Sequence, residues 1–122
     1  MNELPKVLVI EDHSAWRSHF VREFAGWVTL LQARTVEEAR QLFAEHPDVR
    51  VVALDGCLRR IMGSKPDTLP LIDEFRLTFG GTMIAMSTDE KFRHMMVEAG
   101  CTCSLDGKEK LPEEVKRLLA GG

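Results

Sequence analysis

Two unbroken apolar runs of one kind, Val7-Leu8-Val9-Ile10 and Val51-Val52-Ala53-Leu54, stop at acid: Glu11-Asp12 after the first and Asp55 after the second. Runs this short and this rich in Val, Ile and Leu read as strands buried on both faces, the kind found in parallel sheets covered by helices. In open sheets of that type, ligands bind just beyond the carboxyl ends of the strands. The three carboxylates therefore belong in one crevice. Like charges held close raise one another's pKa, and a cation among them relieves the repulsion. A metal-dependent acidic pocket is the first expectation.

The segments between the apolar runs carry helical patterns, which makes a βαβ series. After a first strand at 6–10, Ser14 is placed to cap a helix with Trp16, Phe20 and Phe24 on one face, and Gly26 stops it. A second strand at 28–33 leads into Thr35-Val36-Glu37-Glu38, a capping box ahead of a helix built on Ala39, Leu42 and Phe43 that ends before Pro47. The third strand, 49–54, is apolar throughout and so central. The stretch 56–67 is basic, punctuated by Gly and Pro, and read as a long loop. Leu69, Ile72, Phe75 and Phe79 mark a third helix closed by Gly80-Gly81. A fourth strand at 82–86 precedes Ser87-Thr88-Asp89-Glu90, itself a capping-box pattern, and a helix bearing Phe92, Met95, Met96 and Ala99 that Gly100 ends. A short fifth strand at 101–105 and a last helix, with Pro112 in its first turn and Val115, Leu118 and Leu119 inward, complete the series. Right-handed crossovers with one reversal of winding give an α/β doubly wound five-stranded parallel sheet with five helices, flavodoxin-like, in the order 2-1-3-4-5. Its switch point lies between strands one and three, between Glu11-Asp12 and Asp55.

At 122 residues the chain is read as one domain, 1–122. Sixteen basic against 19 acidic residues argue against a sequence-independent grip on nucleic acid. No apolar stretch approaches the roughly 20 residues of a membrane span. The opening Met1-Asn2-Glu3-Leu4-Pro5-Lys6 lacks the basic and apolar regions of a secretory signal, so the cytoplasm is the expected compartment, with no membrane partner. Cys57, Cys101 and Cys103 cannot all pair, which fits a reducing compartment, and core packing is the expectation for them. Met83, Met86, Met95 and Met96 are expected to fill core and helix faces. His13, His19, His46 and His94 are expected at the surface.

Three acids side by side suit a hard divalent cation such as Mg²⁺, which takes oxygen ligands. A carboxylate left free beside it can attack phosphorus and form an acyl phosphate. That transfer needs a hydrogen-bond donor and a cation on the phosphoryl oxygens. Ser87, just past the fourth strand, offers the hydroxyl; Lys108, just past the fifth, offers the charge, with Lys110 as the fallback.

In this ordered set the chain resembles the receiver domain of bacterial two-component response regulators over essentially its whole length. The resemblance rests on Val7-Leu8-Val9-Ile10-Glu11-Asp12, on Val51-Val52-Ala53-Leu54-Asp55, on Met83-Ile84-Ala85-Met86-Ser87, and on Lys108 ahead of Leu111-Pro112-Glu113-Glu114-Val115. It implies that Asp55 is the phosphoacceptor, served by a histidine kinase or a histidine phosphotransfer protein. It implies that Asp12 binds Mg²⁺ directly, with Glu11 acting directly or through water and with Asp55 and the backbone carbonyl of Cys57 completing the protein ligands. Ser87 would contact the phosphate and Lys108 would pair with it. Phosphorylation would bias a two-state equilibrium in the last strands and helices and so act on a downstream protein or output domain. Such a chain is not an enzyme beyond self-phosphorylation from a donor and slow autodephosphorylation.

Four departures from that family are visible. The family commonly carries Tyr or Phe on the fifth strand, and segment 101–105 has no aromatic residue. Glu109 follows Lys108 where Pro is usual, and the Asp106-Gly107 turn before it is longer by one residue than the family's. Arg59 stands where Pro is common and forms a basic pair with Arg60, read as solvated charge. Cys57 and Asp89 occupy positions that tune hydrolysis of the acyl phosphate in the family. These departures keep open a phosphorylation-independent interaction module. A Mg²⁺-dependent phosphohydrolase is disfavoured, because the haloacid-type pattern needs two aspartates flanking one residue after the first strand.

Overall fold

The computed structural model describes residues 3–58 and 63–121. Five strands, β1 (Lys6–Ile10), β2 (Thr29–Ala33), β3 (Val51–Leu54), β4 (Thr82–Ala85) and β5 (Cys103–Ser104), alternate with α1 (Ser14–Phe24), α2 (Val36–Glu45), α3 (Leu69–Arg76), α4 (Glu90–Ala99) and α5 (Leu111–Gly121). A 3₁₀ turn at Lys108–Lys110, absent from the sequence expectation, leads into α5. All strand pairs are parallel and the order is β2-β1-β3-β4-β5.

Successive strand residues point to opposite faces, so each apolar run feeds two cores. Leu8, Ile10, Val52, Leu54, Met83 and Ala85 pack with Ala39 of α2, Leu71, Ile72 and Phe75 of α3 and Met96 of α4. Val7, Val9, Val51, Ala53, Ile84 and Met86 pack with Phe20 and Phe24 of α1 and with Leu111 and Val115 of α5. Aromatic contacts tighten both layers: Phe43 stacks on Phe75 at 3.9 Å, and Trp16, Phe20, Phe24 and Trp27 form a ladder with neighbouring rings 5.3–6.1 Å apart. α1 and α2 lie on opposite faces, and this reversal of winding opens the sheet between the ends of β1 and β3.

Several local expectations are corrected. α1 is capped by the His13 ring, whose Nδ1 accepts from the Ala15 amide, and Ser14 is already its first residue. The Thr35 hydroxyl caps α2 as expected, but Glu38 accepts from the Arg34 amide, one residue before the position a capping box uses. α4 is capped by Asp89, and Ser87-x-x-Glu90 forms no capping box. Gly26 at φ +90° and Gly100 at φ +141° take the left-handed backbone that stops α1 and α4. α3 ends at Arg76, and Phe79 reaches the core from the turn beyond it. Cys101 is buried, which pushes its thiol up to about 12, whereas Cys57 and Cys103 are only half-buried. His19 and His46 are also half-buried. Among the described residues no helix is long and apolar enough to cross a membrane.

Candidate functional site

The sheet ladder runs one residue past the strands and fixes the acids at its rim. Glu11 donates its amide to the Ala33 carbonyl at 2.9 Å, Asp55 to Ile10 at 2.9 Å, and Met86 to Leu54 at 2.8 Å. These bonds hold the backbones of the first two on either side of the switch point. The carboxylates of Glu11, Asp12 and Asp55 converge until one oxygen of each lies within 4.8 Å of the others. They line a cleft of about 510 Å³ with Cys57, Ser87, Asp89, Phe92 and Lys108 among its walls. The cleft thus brings together every residue expected at the site.

Lys108 enters from the 3₁₀ turn, 7% exposed, and its Nζ lies 2.6 Å from Glu11 Oε1 and 3.4 Å from Asp55 Oδ2. The fallback, Lys110, instead pairs with Asp106 at the surface. Glu11 is 1% exposed, and its Oε2 accepts from the His13 amide at 3.1 Å. Its Oε1 is buried against the Lys108 ammonium. Burial and then the Asp55 charge push the Glu11 carboxyl above the ordinary carboxylate range, with Lys108 and the His13 amide pulling it back. Asp55 is raised as well, first by burial, while Lys108 and the Gly56 amide on its Oδ1 at 2.8 Å counter the effect. The Lys108 ammonium therefore only partly offsets the burial of Glu11 and Asp55. Three carboxylates whose oxygens converge within 4.8 Å, an oxygen-only donor set, fit a hard divalent cation.

The loop after β3 is folded back on its own start. Asp67 returns its amide to the Gly56 carbonyl at 2.9 Å, and its carboxylate accepts the Leu58 amide at 3.0 Å. Thr68, fully buried, donates its hydroxyl to the Asp55 carbonyl at 2.9 Å rather than capping α3. Thr68 was invisible to sequence reasoning, where it reads as an ordinary residue ahead of a Leu-Pro helix start. Arg59 and Arg60 lie outside the described residues.

Ser87 is 4% exposed at the end of β4, and its Oγ accepts from the Asp89 amide at 3.2 Å. A hydroxyl that accepts in this way keeps its one proton to donate elsewhere. Gly56 makes room for it: a Cβ there would sit 3.0 Å from Ser87 Cβ, 3.1 Å from its Oγ and 3.2 Å from the Phe92 ring. Gly56→Ala is expected to cost about 1–2 kcal/mol, because Ser87 Cβ belongs to the rim and cannot swing aside. Urea titration checks this, and an unchanged midpoint would mean that the contact has slack.

No protein-family model and no curated protein sequence matches the chain. Solved structures do. The signal receiver domain of an HD domain-containing protein from Pseudomonas fluorescens Pf-5 matches with a TM-score of 0.75 at 16% identity, over 98% of this chain and 97% of that one. A response regulator from Thermotoga maritima matches at 0.74 and 18% identity, over 97% and 99%. A chain described as a probable two-component system response regulator/GGDEF domain protein matches at 0.76 and 20% identity over 96% of this chain, which spans only 50% of that one. Likeness at such identities is likeness of fold, and the fold is that of the response-regulator receiver domain.

Proposed function

We propose that this chain is a phosphoacceptor receiver of a two-component phosphorelay. The observation that carries the reading is the convergence of Glu11, Asp12 and Asp55 within 4.8 Å, with Lys108 paired to two of them, at the switch point of the sheet. In this reading an Asp55 carboxylate oxygen attacks the phosphorus of a phosphohistidine on a histidine kinase or histidine phosphotransfer protein. The new P–O bond forms as the P–N bond breaks, and the electron pair returns to the imidazole nitrogen. The Ser87 hydroxyl donates a hydrogen bond to a phosphoryl oxygen, and Lys108 balances the transferred charge. Glu11, Asp12, Asp55 and the Cys57 carbonyl would hold Mg²⁺, which when bound supplies positive charge against the phosphoryl oxygens. Because the donor protein brings the specificity, no ester substrate is turned over. The signal leaves by protein contact with a downstream target or output domain, in the cytoplasm.

Incubation with Mg²⁺ and a small acyl phosphate, followed by intact mass, is expected to show one phosphoryl addition that Asp55→Asn abolishes. No addition to the unmodified chain overturns the reading. One observation favours a phosphorylation-independent interaction module instead: β5, Cys103–Ser104, carries no aromatic side chain to report a change at the cleft. Phosphorylation that leaves amide exchange in α4 and α5 unchanged would favour that module.

A further inference from the structure

Ser87 is gripped from the start of α4 at two points. Its carbonyl accepts from Arg93 Nη1 at 2.8 Å, while its Oγ accepts from the Asp89 amide. Asp89 is in turn bound into the first turn of α4, accepting the Phe92 amide on Oδ1 at 3.1 Å and the Arg93 amide on its carbonyl at 3.0 Å. Phe92 packs where a Gly56 side chain would stand, beside Ser87. Arg93 is half-buried, so its bond to the carbonyl is partly shielded from competing water. On the neighbouring edge, β5 contributes only Cys103 and Ser104 to the ladder, and Ser104 is exposed.

The bond on its carbonyl fixes the backbone from which the Ser87 side chain leaves, and the Asp89 amide fixes the rotamer of its hydroxyl. We propose that Arg93 is the positioning residue for Ser87, holding its carbonyl so that the hydroxyl proton is presented to the Asp55 cleft and so that α4 is mechanically tied to that hydroxyl. The inference rests on the phosphoacceptor reading and adds a residue on α4 to the machinery.

The test is a double-mutant cycle on the rate of phosphoryl addition from a small acyl phosphate with Mg²⁺, read by intact mass. Arg93→Ala is expected to slow addition roughly tenfold, the effect of losing one charge-assisted hydrogen bond from a positioned group. In a Ser87→Ala background, where no hydroxyl remains to be positioned, the same change is expected to have no effect. Arg93→Lys, which keeps a charged donor, is expected to recover most of the rate, and thermal melts confirm that each variant is folded. Equal slowing in both backgrounds would make Arg93 a general support of the fold and overturn the proposal while leaving Asp55 as phosphoacceptor. Absence of phosphoryl addition in the unsubstituted chain would remove the phosphoacceptor reading and this inference together.

Discussion

Arg76→Ala is expected to lower the midpoint of thermal unfolding by about 10–15 °C. The guanidinium at the end of α3 bonds the Gly100 carbonyl through Nε at 2.7 Å, the Phe79 and Gly81 carbonyls through Nη1 at 3.0 and 2.8 Å, and the Thr102 hydroxyl through Nη2 at 2.8 Å. Thr102 Oγ1 also accepts the Met83 amide at 3.1 Å, so one side chain ties the end of α3, the start of β4 and the entry to β5. With only two residues in its ladder, β5 has few other bonds to the sheet. Four bonds at a net value near 1 kcal/mol, part of it recovered by water reaching the freed carbonyls, give a loss of about 3 kcal/mol. For a domain of this size that corresponds to the stated shift. Arg76→Lys retains the charge and fewer of the bonds, and should fall between. Amide exchange is expected to accelerate at residues 100–103 in both variants. A shift under about 3 °C for Arg76→Ala would mean that water satisfies these carbonyls as well as arginine does.

The fold was legible because burial on both faces leaves a simple mark: β1 spans the residues that its apolar run indicates, and the other runs locate their strands to within a residue or two. The ends were less legible, since apolar character reports burial and not ladder membership. Val49 is buried, yet its amide returns to His46 in a turn; Cys101 is buried, yet its amide closes α4 on Met96. Caps were misplaced where two candidates stand close together. His13 beside Ser14 and Asp89 beside Ser87 are chemically similar choices, and the point where the chain leaves the sheet decides between them.

The site divides in the same way. Residues whose chemistry lies in the side chain and whose place follows from a strand end, Glu11, Asp12, Asp55 and Ser87, were visible in sequence order, and Lys108 was visible as the first cation after the last strand. Thr68, Arg76 and Arg93 were not, because each spends its polar group on a backbone carbonyl, and a carbonyl looks the same after any residue. Fitting a longer turn ahead of Lys108 also needed the 3₁₀ geometry, which leaves Glu109 exposed beside the buried ammonium.

Lys108→Met should destabilise the chain by about 3–5 kcal/mol at pH 8, the range for breaking a buried ion pair by removing one partner. Methionine fills a similar volume, so the loss is electrostatic rather than a cavity. Glu11 and Asp55 would then face one another and Asp12 without the Lys108 ammonium. The pH dependence follows from the direction of their shifts. Both carboxyls already titrate above their ordinary values, so the folded state holds protons that the unfolded chain has released. Stability from these groups is therefore fully present below the ordinary carboxylate values and is lost as pH rises through the raised folded-state ones. Removing Lys108 takes away a contribution that lowers both, moving the window further toward neutrality. The difference between Lys108→Met and the unsubstituted chain should be small near pH 4 and grow toward pH 8. A divalent cation binding the three carboxylates stabilises the folded state by mass action, and it should raise the midpoint of Lys108→Met more than that of the unsubstituted chain. Thermal melts at pH 4, 6 and 8, with and without Mg²⁺, measure both effects. A variant as stable as the unsubstituted chain at pH 8 and indifferent to Mg²⁺ would mean that the acids at the strand ends are already neutralised by protons, with no need of Lys108.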